Sequence, residues 1–257
     1  MLNAKDVTVT SEYLKVFSVG DPGTGKSLFA ASFPTPGFVF DFANGIQSYR
    51  GKDFDYEQFD ISVLGWNKFE KLLPEISKDV KEGKYKTIVV DDLTAMTDVC
   101  MDKALQLDPK RSASQGPLWN VHYQLVRNLM EGKLRRLMDL PANIIFIGHL
   151  ETEKDQETGA IISVRPMLTG QLPVKIPGYF DEVYYHTTRR EGGKIKWYLQ
   201  TVPIGWYHGR SRLSGKERLL PDLIENDYAE VMAYLTGKKR KAIKNKKEGM
   251  KNGKAKS

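Results

Sequence analysis

Along the first half of the chain, short apolar runs alternate with amphipathic stretches. Residues 13 to 19 (YLKVFSV) alternate and are rich in aromatic and β-branched side chains, which predicts a strand running straight into Gly20. A short helix is predicted over residues 27 to 33, stopped by Pro34 and Pro36, and a second strand over residues 37 to 42 that carries Asp41 near its end. From Trp66 the apolar positions Phe69, Leu72, Leu73, Ile76 and Val80 recur at helical spacing up to Gly83, with Pro74 expected to kink or shift the helix. Residues 86 to 91 (KTIVVD) form a continuous apolar run, the pattern of a strand covered on both faces.

Helices fit residues 93 to 107 and 119 to 139, separated by the polar segment DPKRSASQGP. Residues 143 to 150 (NIIFIGHL) then predict a third buried strand. Strands alternating with helices imply an α/β fold with a mostly parallel sheet flanked by helices. Beyond it the pattern changes to antiparallel strands: a hairpin over residues 151 to 170 turning at residues 157 to 160, and two strands over residues 180 to 202 joined through Glu191, Gly192 and Gly193. A last helix is predicted over residues 221 to 235.

Charge divides the chain in two. The net charge of +7 combines +9 in residues 238 to 257, where ten Lys/Arg face the single acid Glu248, with −2 in the rest. The expected organisation is one folded domain over residues 1 to 236 and a flexible, disordered Lys-rich basic tail over residues 237 to 257, too poor in apolar side chains to order itself. No stretch reaches the roughly 18 apolar residues of a membrane span, and the start lacks a leader pattern, so a cytoplasmic protein without a membrane partner is expected. The single cysteine, Cys100, excludes an intramolecular disulfide, and His122, His149, His186 and His208 lack close metal-ligand spacing.

The sharpest signal is Gly20-Asp21-Pro22-Gly23-Thr24-Gly25-Lys26-Ser27, which matches the phosphate-loop pattern at every fixed position and lies between a predicted strand and a predicted helix. Glycines let successive backbone N–H groups converge on phosphate oxygens, and the helix start adds its positive end. ATP is the expected ligand, cradled from Gly20 to Leu28, with Lys26 on the β- and γ-phosphates and Ser27 on Mg²⁺. The alternatives are a solvated glycine-rich turn and a loop that binds nucleotide without hydrolysing it.

Asp91, at the end of IVVD, is placed to hold Mg²⁺ through water. Asp92 either orients the attacking water or caps the following helix. His149, ending the third strand, either senses the γ-phosphate or is simply a satisfied polar residue. Trp119, Tyr123, Trp206 and Tyr207 stack on bases or belong to the core.

With GDPGTGKS, VFDFANG, YKTIVVDDLT, LRRLMDLPANIIFIGHLE and PMLTGQLPVKIPGYFDEVY in this order, the chain resembles the compact phage and bacterial RecA-like P-loop ATPases over residues 14 to 213. These include single-domain phage recombinases implicated in single-strand annealing. The resemblance implies a DNA-stimulated Mg²⁺-dependent ATPase, in the host cytoplasm if phage-encoded, that assembles into a homo-oligomeric ring or filament. The implied partners are single-stranded DNA and a single-stranded-DNA-binding protein. It also implies a γ-phosphate sensor at His149 and DNA-facing segments at residues 108 to 118, with Lys110 and Arg111, and at residues 151 to 163, although the latter begins acidic.

In that family Arg210 and Arg212 would reach a neighbour's nucleotide; otherwise they form a solvated basic loop. Lys238, Lys239, Arg240 and Lys241 open the tail, expected to neutralise nucleic-acid phosphates or only to aid solubility. One departure stands out: a catalytic glutamate is usual just past the strand that ends at Asp41, and this chain reads Phe42-Ala43-Asn44-Gly45. Either Asp92 or Asp41 replaces it as base, or hydrolysis is slow and nucleotide serves as an assembly switch. A nucleotide-controlled interaction module and a ring helicase or terminase-like motor are the competing readings.

Overall fold

The computed structural model of the protein describes residues 12–214 and 219–239. Its centre is a parallel sheet built from β1 (Lys15–Val19), β2 (Gly37–Asp41), β3 (Phe54–Gln58), β4 (Thr87–Asp91), β5 (Asn143–Gly148) and the first half of β8 (Glu182–Glu191). Two antiparallel hairpins interrupt or extend it: β6 (Leu150–Lys154) with β7 (Ile161–Pro166), which stands off as its own ribbon, and β8 with β9 (Lys194–Gln200). The remaining short strands are β10 (Pro203–Ile204), β11 (Tyr207–His208), β12 (Arg210–Ser211) and β13 (Leu223–Glu225). In space the order is β13-β9-β8-β1-β5-β4-β2-β3, with β12 also paired to β8.

Alternation along the strands sorts the core into two layers. Phe17, Phe40, Val90 and Phe146 face one side, and Val16, Val39, Val89 and Ile145 face the other. On the first side pack α2 (Val63–Lys81), α3 (Leu93–Leu107) and α4 (His122–Met138); on the second pack α1 (Lys26–Ala30) and α6 (Tyr228–Leu235), while the short α5 (Leu172–Lys175) joins the first layer. Trp66, Phe69, Leu73, Ile76 and Val80 form the buried stripe of α2, each worth about 1.5–3 kcal/mol on burial. No helix among the described residues is long and apolar enough to cross a membrane.

Several expectations are corrected. The helix α2 begins earlier than its apolar stripe, where the Ser62 side chain accepts from Leu64 N. The predicted strand over residues 143 to 150 divides at His149 into β5 and β6. The segment assigned to a helix over residues 221 to 235 contributes β13 first, and helix starts only after Asp227, whose carboxylate accepts from Ala229 N. The fourth helix begins at His122 rather than at residue 119, because the buried His122 ring accepts from Leu118 N and reaches Asp108 O at 2.8 Å, closing the preceding loop. The edge strand β3 was not anticipated, although Phe54 and Tyr56 alternate with Asp55 and Glu57 along its five residues.

Candidate nucleotide-binding site

Strand register fixes the site. Val19 lies beside Gly148, and Asp41 beside Asp91, so the chain leaves β1, β2, β4 and β5 along a single edge of the sheet. The loop from Gly20 to Gly25 turns over that edge. Gly25 sits at φ 88°, and a Cβ there would stand 2.7 Å from Asn226 Nδ2 and 2.8 Å from Trp197 Cδ1, so only glycine fits. Two contacts from distant elements brace the loop: Trp197 Nε1 donates to Gly23 O at 3.0 Å and Asn226 Nδ2 donates to Gly25 O at 2.8 Å; within the loop itself Thr24 Oγ1 donates to Asp21 O at 2.7 Å. Beneath it His186 is fully sequestered and hydrogen-bonded to Ser18; burial first, and the nearby Lys26 charge second, push its imidazole down to about 3, so it stays neutral.

Lys26 is 6% exposed, and its Nζ donates to Gly20 O at 2.8 Å and Asp21 O at 2.9 Å. Burial lowers its pKa, against the opposing pull of Asp92, Asp91 and Asp21. Asp91 Oδ2 accepts from Tyr49 Oη at 3.1 Å, and Ser27 bonds the same carboxylate. Desolvation nevertheless raises Asp91 to about 6, helped by the Asp92 charge. Asp92 performs two tasks: Oδ1 accepts from Ala95 N at 2.7 Å, capping α3, and Oδ2 lies 2.8 Å from His149 Nε2, which therefore carries its proton there. His149 N in turn donates to Thr94 Oγ1 at 3.2 Å.

These groups open on one cavity of about 340 Å³, bordered by Pro22, Gly23, Gly25 to Leu28, Asp91, Asp92 and His149, with Ala43, Gly45, Ser48, Ile147 and Trp197 closing it. A loop with its ammonium drawn in, next to a hydroxyl and a carboxylate one bond apart, fits a triphosphate with its cation: Ser27 and Asp91 would hold Mg²⁺, which supplies charge neutralisation between phosphate oxygens.

Other expected residues lie elsewhere. Asp41 is wholly buried and absent from the cavity wall; Oδ1 accepts from Gly45 N at 2.8 Å and Oδ2 from Gln58 Nε2 at 3.1 Å, so both oxygens are committed to shaping the turn, which corrects its reading as a base. A Cβ on Gly45 would meet Asp91 Oδ2 at 3.3 Å, so this turn passes close to the acidic strand end. Asp21 and Thr24 back the loop from a separate hollow with Tyr185 and His186, and Gly20 is closed in by Thr24 and the His186 backbone.

Arg210 and Arg212 belong with β12, which pairs with Glu182 and Val183 at the start of β8, away from the cavity within the chain. Arg210 donates to Pro177 O and to Phe180 O, and Arg212 to Gly178 O with Asp181 3.5 Å away. Arg111 turns back on Leu105 O, Asp108 O and Lys110 O, while the Lys110 backbone N–H donates to Asp108. Lys239 pairs with Glu230; Lys238 is exposed or nearly so, and Arg240 and Lys241 lie outside the described residues. Tyr49, Trp197 and Asn226 were not legible as site residues, since nothing near them in sequence marks a phosphate loop 22 to 201 residues away.

No curated protein matches the chain. Among solved structures, a KaiC-like protein from the archaeon Pyrococcus horikoshii is similar at 15% identity and a TM-score of 0.41, over 72% of this chain and 76% of that one. A family model described as an AAA domain matches residues 12–213, a span holding every residue that borders the cavity. A P-loop cradle with its acidic strand end, matched over that length, makes this chain a member of the AAA domain family.

Proposed function

We propose that the protein is a Mg²⁺-dependent ATPase whose turnover is coupled to single-stranded DNA, in the manner of phage-type recombination or annealing proteins, and that it works as a homo-oligomer. The observation that carries the ATPase part is the convergence of Lys26, Ser27, Asp91, Asp92 and His149 on one cavity. Lys26 holds the β- and γ-phosphates; Asp92, fixed by its cap and by His149, polarises the attacking water; and His149 reports the γ-phosphate. Coupling has a physical route, because His149 leads directly into the β6–β7 ribbon and its carbonyl accepts from Met167 N at 2.9 Å where that ribbon closes. A strand bound on the ribbon therefore bears on the histidine. The DNA part rests on the family resemblance and on the +9 charge of residues 238 to 257.

The test is steady-state ATP turnover with and without single-stranded DNA, for the full chain and for one ending at Thr236. Stimulation severalfold by DNA, reduced in the shortened chain, is the expected result; turnover indifferent to any DNA rejects the coupling. A second reading, a nucleotide-controlled assembly switch with little turnover, draws on one observation: among the described residues Asp91 and Asp92 are the only carboxylates on the cavity wall, and both are buried and hydrogen-bonded. ATP-dependent assembly with negligible hydrolysis is its signature.

A further inference from the structure

Next to the phosphate cavity lies a second hollow of about 310 Å³, and the two share Leu28 and Trp197 as a common wall. Its lining is unusual for solvent-facing surface. Leu28, Ile195 and Trp197 are 47%, 54% and 39% exposed, so three large apolar side chains meet water within one small area. Strand geometry explains the grouping: Ile195 and Trp197 are two apart on β9 and so share a face, and that face looks onto the first turn of α1, where Leu28 follows Ser27.

The opposite rim is polar. Asn226 donates to Gly25 O and its N–H to Trp197 O at 3.1 Å, while Glu225 precedes it at the end of β13. The indole is held in place, with its N–H spent on Gly23 O, and its ring remains open on both hollows. A rigid, half-exposed aromatic ring beside a phosphate cradle is suited to a flat heterocycle attached to those phosphates.

We propose that the hollow between Leu28, Ile195 and Trp197 is the seat of the nucleobase, with the Trp197 ring as its stacking platform. This rests on the phosphate-loop reading above and extends it: the loop supplies charge recognition, and β9 supplies recognition of the base. The alternative role for Trp197 is a strut that merely supports Gly23 through its N–H.

Calorimetry with two probes, MgATP and magnesium tripolyphosphate, separates these. Trp197→Phe and Trp197→Ala both lose the N–H to Gly23 O, so the two variants are compared with each other: the Ala variant is expected to bind MgATP about tenfold more weakly than the Phe variant, the loss of one base–aromatic stack, with tripolyphosphate differing less than about twofold between them. Ile195→Asp, remote from the loop, weakens ATP alone. An Ala variant that binds MgATP as well as the Phe variant, or that loses tripolyphosphate in equal measure, overturns the platform. If the unaltered protein binds neither probe, the phosphate-loop reading fails first and takes the platform with it.

Discussion

Asp91 and Glu182 are both carboxylates buried in the same sheet, and burial raises both, to about 6 and about 7. Their surroundings separate them. Glu182 accepts from Tyr184 Oη at 2.6 Å, Ser211 Oγ at 2.9 Å and Leu213 N at 3.1 Å, so both its oxygens are satisfied by its own chain near the start of β8. Asp91 stands at the opposite edge, shares its hydrogen bonds with Tyr49 and Ser27, and opens on a cavity into which Lys26 also points its charge. A shifted carboxylate therefore does not identify a site by itself. What distinguishes a site is a charge that the fold gathers beside others around an open volume, since like charges held together there are stabilised only when a ligand of opposite charge enters.

The contrast can be broken most forcefully at Lys26. Lys26→Ala should weaken MgATP binding on the order of 100-fold or more, as expected on removing one member of a desolvated charge pair, and calorimetry that finds ordinary affinity would reject the cradle. A smaller effect is expected at His149 on the cavity wall. His149→Gln should lower turnover on the order of 10- to 100-fold with little change in ATP affinity, because the contact to Asp92 orients rather than binds; a rise in KM without loss of kcat would contradict that role.

The smallest effect sharpens the other side of the comparison. Because Glu182 binds its proton more tightly in the folded chain than in the unfolded one, its stabilising contribution is complete below about pH 4.5 and is lost as the pH rises through about 7. Glu182→Gln should remove that loss, raising Tm at pH 8 by about 2–4 °C, the shift that about 1 kcal/mol produces in a chain of this size. ATP turnover should stay within about twofold of the unaltered protein. A thermal melt series from pH 4.5 to 8 with parallel slopes for the two proteins would show that the buried carboxylate is not the source.

Much of this was readable from the chain. The runs around Val89 and Ile145 announced buried strands because neighbours on a strand face opposite layers and both layers here are covered. The edge strand β3 is harder to read: its alternation of Phe54 and Tyr56 with Asp55 and Glu57 spans only five residues, and Tyr56, on its apolar face, is 51% exposed. Asp92 was legible as a helix cap, and the structure spends one of its oxygens on that cap and the other on His149.

The order of residues from Gly20 to Ser27 determined the phosphate loop, since its chemistry lies in consecutive backbone N–H groups and in one lysine at fixed spacing. Only the tertiary structure decided that Trp197 and Asn226 lock that loop, that Tyr49 meets Asp91, and that Asp41 turns inward onto Gly45 and Gln58. Backbone conformation is set by neighbours along the chain, whereas these contacts depend on which strands lie side by side, and strand order is settled by burial of the whole core.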